Sequence, residues 1–187
     1  KKCLKSTFVS TAGNNTNRFE NKIKLITKSK YSVAVVNATT GIFVSLKALN
    51  IKEEEEVLVP SLTFIGSVNP IAYCNATPHF IDLNDNFMDI DYERLDNYLS
   101  SIVKFKNGKT INKNTNKVIK AIIPVHLFGH PSNMRRCLSL AKKYQLKIVE
   151  DCAEAFGSKF KNKHVGNFGS IGVISFNGNK IITTGGG

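Results

Sequence analysis

Two residues of this chain, Lys180 and Asp151, have a type and setting that invite chemistry. Lys180 ends the run Ser175-Phe176-Asn177-Gly178-Asn179-Lys180, and Thr183-Thr184-Gly185-Gly186-Gly187 follows it. A lysine at the end of a predicted strand and beside a glycine run is placed for Schiff-base chemistry. Burial and a nearby cation would free its amine to attack an aldehyde. Taken alone, it reads as a surface lysine. Asp151 closes the apolar run Ile148-Val149-Glu150-Asp151. On one reading it caps the next helix. On the other it faces a protonated pyridine nitrogen and keeps that ring an electron sink. A lysine for an aldehyde and an aspartate for a pyridinium together suggest pyridoxal phosphate.

Further segments fit such a site. Asn37-Ala38-Thr39-Thr40-Gly41 lies between a predicted strand and a predicted helix. A helix start with small hydroxyls cradles phosphate, and it is equally an ordinary helix cap. The Ser175 hydroxyl would add to it. Phe64, in Pro60-Ser61-Leu62-Thr63-Phe64, is either core or a stacking partner for a flat ring. His126 and His130 flank Gly129 and are read as substrate contacts or local hydrogen-bond partners, because a metal site needs more convergent ligands. No G-x-x-x-x-G-K-[ST] is present, and Gly166, Gly169 and Gly172 lack dinucleotide-fingerprint spacing.

Alternating apolar and amphipathic runs must position these residues. Strands are predicted at Val33 to Val36, Glu56 to Val59 (stopped by Pro60), His79 to Asp82, Val118 to Val125, Leu146 to Glu150 and Ile171 to Phe176. Helices are predicted over Thr40 to Leu49, Phe64 to Cys74 with Pro70 kinking or shortening it, Asp91 to about Leu99, and Ser132 to Tyr144. The lysine-rich stretch 101–120 reads as a polar insertion or long loop. Strands separated by helices imply an α/β fold with a mostly parallel sheet, whose ligands collect at the carboxyl ends of the strands. Asn37, Pro60, His126, Asp151 and Phe176 all fall at or just past such ends.

With 187 residues, 42% of them hydrophobic, the chain can build one domain with a core. Its net charge of +12 reads as a solvated lysine surface that would also steer a phosphorylated ligand. No basic stripe with interleaved aromatics supports nucleic-acid binding. Cys3, Cys74, Cys137 and Cys152 have no metal-ligand spacing and read as free thiols of a reducing compartment. Neither a signal peptide nor a membrane span is visible, so a cytoplasmic protein is expected. The glycine run at the last residue is an odd place for a domain to end and suggests truncation.

Read together, six segments resemble the DegT/DnrJ/EryC1/StrS family of pyridoxal-phosphate sugar aminotransferases. They are Ser6-Thr7-Phe8-Val9-Ser10, Val36 to Gly41, Val59 to Phe64, Pro124 to Gly129, Glu150 to Ala155 and Ser175 to Lys180. The resemblance implies a fold-type-I transferase large domain over 31–187, incomplete and lacking its small C-terminal domain, after an N-terminal segment over 1–30. It implies a homodimer as well. Lys180 would form the Schiff base and Asp151 would pair with the ring nitrogen. Phe64 would stack on the ring, while Thr40, the Gly41 backbone and Ser175 would hold the phosphate. Glu154 stands where many members carry Gln or His near the cofactor hydroxyl, and Gly41 where Ala or Ser is usual. Asn179 and His126 are candidate substrate contacts. Lys180 itself argues against the relatives that carry histidine there and act as dehydratases.

The implied reaction moves an amino group, typically from glutamate, to the 4-keto group of a nucleotide-linked deoxysugar. Ser6 to Ser10, Arg18-Phe19-Glu20 and the Asn-Gly-Asn-Lys ending look most like the branch that aminates UDP-4-keto-6-deoxy-N-acetylhexosamines. The alternative is a non-catalytic or split remnant with a binding or assembly role.

Overall fold

The computed structural model describes residues 2–7, 10 and 13–187. Phe8 and Val9 of the first motif lie outside them. The chain forms two compact units, Lys1–Ala34 and Val35–Gly187. The first holds α1 (Lys2–Lys5) and α2 (Asn14–Thr27), the latter ended by Lys28 in a left-handed conformation.

The second unit is built on five parallel strands: β1 (Glu56–Pro60), β2 (Thr77–Ile81), β5 (Ile119–Ile122), β6 (Lys147–Cys152) and β9 (Ile171–Ile174), in the order β2-β1-β5-β6-β9. Their near-continuous Val/Ile/Leu runs suit strands covered on both faces. Alternate side chains divide the core. Val57, Val59, Ala121, Ile123, Val149 and Val173 pack with α3 (Ala38–Ala48) and α4 (Ile65–Tyr73). Leu58, Ile122 and Ile148 pack on the other face with α5 (Tyr92–Ile102) and α6 (Met134–Lys143). The outcome is a three-layer α/β/α sandwich. Asn37, Asp91 and Asn133 cap α3, α5 and α6 with side-chain oxygens, each accepting a first-turn N–H. Pro70 lies inside α4 and goes with a short, nine-residue helix.

Two sequence expectations are corrected. Val33 to Val36 is not a strand, and Val33 and Val36 are 77% and 70% exposed. An apolar tetrapeptide becomes a strand only against a neighbouring strand, and among the described residues none lies beside it. The stretch 101–120 is not a loop. It contains the antiparallel hairpin β3 (Val103–Lys106) and β4 (Lys109–Asn112), turned at Asn107-Gly108 with both φ positive, 52° and 67°. Asn112 and Thr115 then donate to the buried Glu56 carboxylate, which fastens this segment to the start of β1.

A two-stranded ribbon, β7 (Lys159–Phe160) and β8 (Lys163–His164), leads to the turn before β9. There Gly172 runs so close to Gly166 that a Cβ would overlap the Gly166 backbone. The Glu150 carboxylate, wholly buried, gathers the N–H groups of Gly166, Phe168 and Gly169 at 2.8, 2.6 and 2.7 Å. This turn sets the register of β9 (Glu150↔Gly172, Asp151↔Val173) and so places the segment that carries Lys180.

Candidate active site

Asp151, near the end of β6, is 5% exposed. The Ser67 hydroxyl on α4 donates to Oδ2 at 2.6 Å, and the Ala153 N–H donates to Oδ1 at 3.0 Å. Burial pushes its carboxyl above the usual aspartate range, against the Ser67 and Ala153 hydrogen bonds and the positive charge of Lys180. Two donors leave part of a carboxylate's capacity unused. Asp151 is therefore a buried acid that a further N–H donor or cation would ionise.

Lys180 follows β9 in a turn, its N–H bonded to the Asn177 carbonyl at 3.0 Å. Its side chain is 15% exposed, and Nζ lies 3.6 Å from Glu154 Oε1. The other Glu154 oxygen accepts the Phe128 N–H at 2.9 Å. Phe64 precedes α4 and is 73% exposed, which removes the core reading and leaves a ring face open. It is joined to the Asp151 partner by the first turn of α4, Ser67 N–H to Phe64 C=O at 2.9 Å.

Gly66 brings the parts together. A Cβ there would sit 2.8 Å from Thr39 Oγ1 and 2.9 Å from Phe64 Cδ1. The aromatic ring and the first turn of α3 thus converge on a point that only glycine leaves open. At that turn the Thr40 N–H is taken by Asn37 Oδ1 (2.8 Å) and the Gly41 N–H by Asn37 O (2.9 Å). The helix leaves the earlier Ala38 and Thr39 N–H groups without intrahelical partners. The helix-start N–H groups not taken by Asn37 are therefore those of Ala38 and Thr39, one to two residues before Thr40 and Gly41. Gly41 serves packing: a Cβ would come 2.8 Å from Val173 Cγ1, so α3 can lie directly on β9.

The remaining expected residues divide. Ser175 is buried, donating to the Gly187 carbonyl at 3.1 Å. Asn179 is exposed beside Lys180, with Oδ1 held by Asn177 Nδ2 at 3.1 Å. His126 departs from its reading as a substrate contact, because it is fully buried with both ring nitrogens engaged. Its Nδ1 accepts the Ser132 N–H at 3.0 Å, so the proton sits on Nε2, which donates to Glu150 at 3.2 Å. His126, Glu150 and Cys152 bring ligand-type atoms within 4.8 Å of one another. Glu150 is already saturated by its four donors. Burial raises its pKa, but the His126, Gly169 and Gly166 hydrogen bonds outweigh that and hold it below the usual range. Thr39 was read only as part of the Asn37 to Gly41 cradle, and Gly66 and Ser67 escaped the sequence reading. Their signal is a small-residue turn, Gly66-Ser67, two and three positions after the aromatic.

A lysine, a buried aspartate, an exposed aromatic and a helix N-terminus thus lie at the carboxyl ends of the strands, with the aspartate, the aromatic and the helix start linked through Gly66 and Ser67. Comparison with known proteins decides the family. Residues 1–187 match the DegT/DnrJ/EryC1/StrS aminotransferase family. The chain belongs to that family. It is 44% identical over 185 residues to GDP-perosamine synthase from Escherichia coli O157:H7, covering 99% of the chain and 46% of that protein. The aminotransferase of Psychrobacter cryohalolentis superposes with a TM-score of 0.85 at 34% identity, over 99% of the chain and 43% of the other. The PMP form of the sugar aminotransferase Spr1654 from Streptococcus pneumoniae gives 0.83 at 25% identity, over 97% and 46%. The chain thus spans less than half the length of these relatives. Its sandwich has the family's large-domain fold. Among the described residues no helix is long and apolar enough to cross a membrane.

Proposed function

We propose that residues 31–187 are the cofactor-binding part of a pyridoxal-phosphate aminotransferase acting on a nucleotide-linked keto-deoxysugar, with glutamate as amino donor. One observation carries this reading: Lys180 Nζ lies 3.6 Å from Glu154, one turn of chain after Asp151, the buried acid tied through Ser67 to the turn that presents Phe64.

The residues fit the cofactor. The Ala38 and Thr39 N–H groups would hold its phosphate, joined by the Ser175 hydroxyl once that leaves the Gly187 carbonyl. The Phe64 ring would cover one face, and Gly66 keeps the space between them clear. Asp151 would meet the ring nitrogen and, on ionising, keep it protonated. When bound, pyridoxal phosphate supplies an aldehyde for amines and a cationic ring that takes up electron density. Glu154, 3.6 Å from Nζ, would position the Lys180 side chain. The free Lys180 amine would then remove the α-proton of the donor and later return a proton to the sugar carbon that gains nitrogen.

The similarity to a GDP-perosamine synthase supports a GDP-linked sugar, with C4 as the proposed position of amination, over the UDP-N-acetylhexosamine expected from Ser6 to Ser10, Arg18-Phe19-Glu20 and the Asn-Gly-Asn-Lys ending. A homodimer of the complete protein completes the proposal. The test is spectroscopic. The complete protein carrying this chain, mixed with pyridoxal phosphate, should develop the absorbance band of a lysine-linked cofactor and lose it on adding L-glutamate. Lys180→Ala should show no such band. A band that survives the substitution would sink the assignment.

A further inference from the structure

At the start of β1, the end of the sheet opposite Lys180, a carboxylate, an imidazole and a hydroxyl stand in line. Glu56 opens β1 and is buried. Its Oε2 lies 2.7 Å from His79 Nδ1 on β2, and His79 Nε2 lies 3.1 Å from the Tyr98 hydroxyl on α5. Tyr98 is 43% exposed. We infer that Tyr98 is a nucleophile assisted by His79 and Glu56, and that this array is a modification site which takes the acyl group of an acyl phosphate. The inference is independent of the activity proposed above.

Glu56 fixes the direction of each hydrogen bond. Burial raises its pKa, but the bonds from His79, Thr115 (2.5 Å) and Asn112 (3.0 Å) outweigh that and hold it below the usual glutamate range. An ionised carboxylate only accepts, so His79 Nδ1 carries the proton. In the neutral ring Nε2 is then a bare acceptor, and the Tyr98 O–H points at it. A hydroxyl on an imidazole whose far nitrogen is held by a buried carboxylate is the arrangement that activates nucleophiles for acyl transfer. Burial does not compel the Tyr98 bond. It is exposed to solvent, where water could serve the hydroxyl equally well.

The donor class follows from the product. A tyrosyl ester is itself an activated acyl compound, so its donor must be at least as activated, which an acyl phosphate is. The phosphate also calls for a cation. Lys117 Nζ lies 3.0 Å from Thr77 Oγ1, and Thr77 is two residues before His79 on the same face of β2. The exposed Glu54 carboxylate, now 2.7 Å from Lys117, would give way to it. In the step, Tyr98 Oη bonds to the carbonyl carbon and its proton passes to His79 Nε2, where Glu56 steadies the imidazolium. The bond from that carbon to the phosphate oxygen breaks, and the phosphate leaves with the electron pair and takes up the proton from Nε2. The products are O-acyl Tyr98 and inorganic phosphate.

The experiment uses the complete protein that carries this chain, as wild type and His79→Asn. Asparagine keeps a donor for Glu56 and removes the base. Each protein is incubated with acetyl phosphate at pH 7 together with N-acetyltyrosinamide, and acetylation is followed by peptide mass spectrometry. Tyr31 and Tyr73 are internal references: they are 74% and 59% exposed, and among the described residues no histidine meets either hydroxyl. Tyr98 should be acetylated about a hundredfold faster than all three references, the lower range of general-base assistance. His79→Asn should bring Tyr98 down to the reference rate and leave Tyr31 and Tyr73 as they were, a residue-specific loss that a merely structural role for His79 would not produce. The inference is overturned if Tyr98 reacts no faster than N-acetyltyrosinamide, or if His79→Asn leaves its rate unchanged. The comparison within wild type needs no variant, so it decides the matter even if the substitution unfolds the protein.

Discussion

Replacing Glu150 by glutamine removes one formal charge and no heavy atom, yet it should be among the most damaging single changes in this chain. Oε1 accepts the Phe168 and Gly169 N–H groups at 2.6 and 2.7 Å, and Oε2 accepts Gly166 N–H at 2.8 Å and His126 Nε2 at 3.2 Å. A glutamine must turn its NH2 toward one of these pairs, where it opposes two donors. Hydrogen bonds to a charged acceptor contribute about 1.5–3 kcal/mol each, so two losses amount to roughly 3–6 kcal/mol. Relief of a buried charge offsets part of that. A net loss of about 2–4 kcal/mol is expected at pH 7, large against the ~5–15 kcal/mol that holds a typical protein folded. Urea unfolding of Glu150→Gln, followed by far-UV circular dichroism, measures it. Glu53→Gln, an exposed position, is the control. The sign of the pH dependence comes from the depressed folded pKa. The stabilisation is complete above the ordinary glutamate pKa of about 4.3 and is lost as pH falls through the lower folded value. The gap between wild type and variant should therefore close in acid. A variant within about 0.5 kcal/mol of wild type at pH 7 would refute the view of this carboxylate as the anchor of the turn before β9.

Two further changes probe the site itself. Asp151→Asn should raise the melting temperature of the cofactor-free protein at pH 7, because the folded acid has a raised pKa and its charged form is penalised there. The gain should vanish as pH falls through that raised value, with the amide oxygen keeping the Ala153 N–H and the amide NH2 donating to the Ser67 hydroxyl in a reversed contact, while pyridoxal phosphate retention drops. Equal melting temperatures at pH 4 and 7 in both proteins would argue against the burial effect. Gly66→Ala places a methyl against Thr39 and Phe64 and should weaken pyridoxal phosphate by about tenfold or more at a stability cost of ~1–3 kcal/mol. A fluorescence titration reads the affinity, and an unchanged value would mean that the ring and the helix start do not share a ligand.

The order of elements was legible because hydrophobic period and caps are local signals. Asn37 and Asp91 cap helices within two or three residues of where their types indicated, and five of the six predicted strands became members of the central sheet. Val33 to Val36 failed as a strand because pairing is a property of the neighbour, which a propensity cannot report. The hairpin at 103–112 was hidden by its lysines, although Asn107-Gly108 is a local hairpin signal.

By itself the sequence determined the chemistry on offer. A lysine, an aspartate, an aromatic and a helix start, each just past an apolar run, were bound to share the carboxyl edge of a parallel sheet. Only the tertiary structure decided which atoms are free to act there. It withdrew His126 into the core by engaging both ring nitrogens, and it moved the available helix-start donors from Thr40 and Gly41 to Ala38 and Thr39. It also paired Asp151 with Ser67, 84 positions away in the chain, and joined Lys180 through Glu154 to the Phe128 backbone. Residue type sets what a group can do. Burial and the hydrogen bonds already made set whether it remains available, and both depend on contacts between segments far apart in the chain.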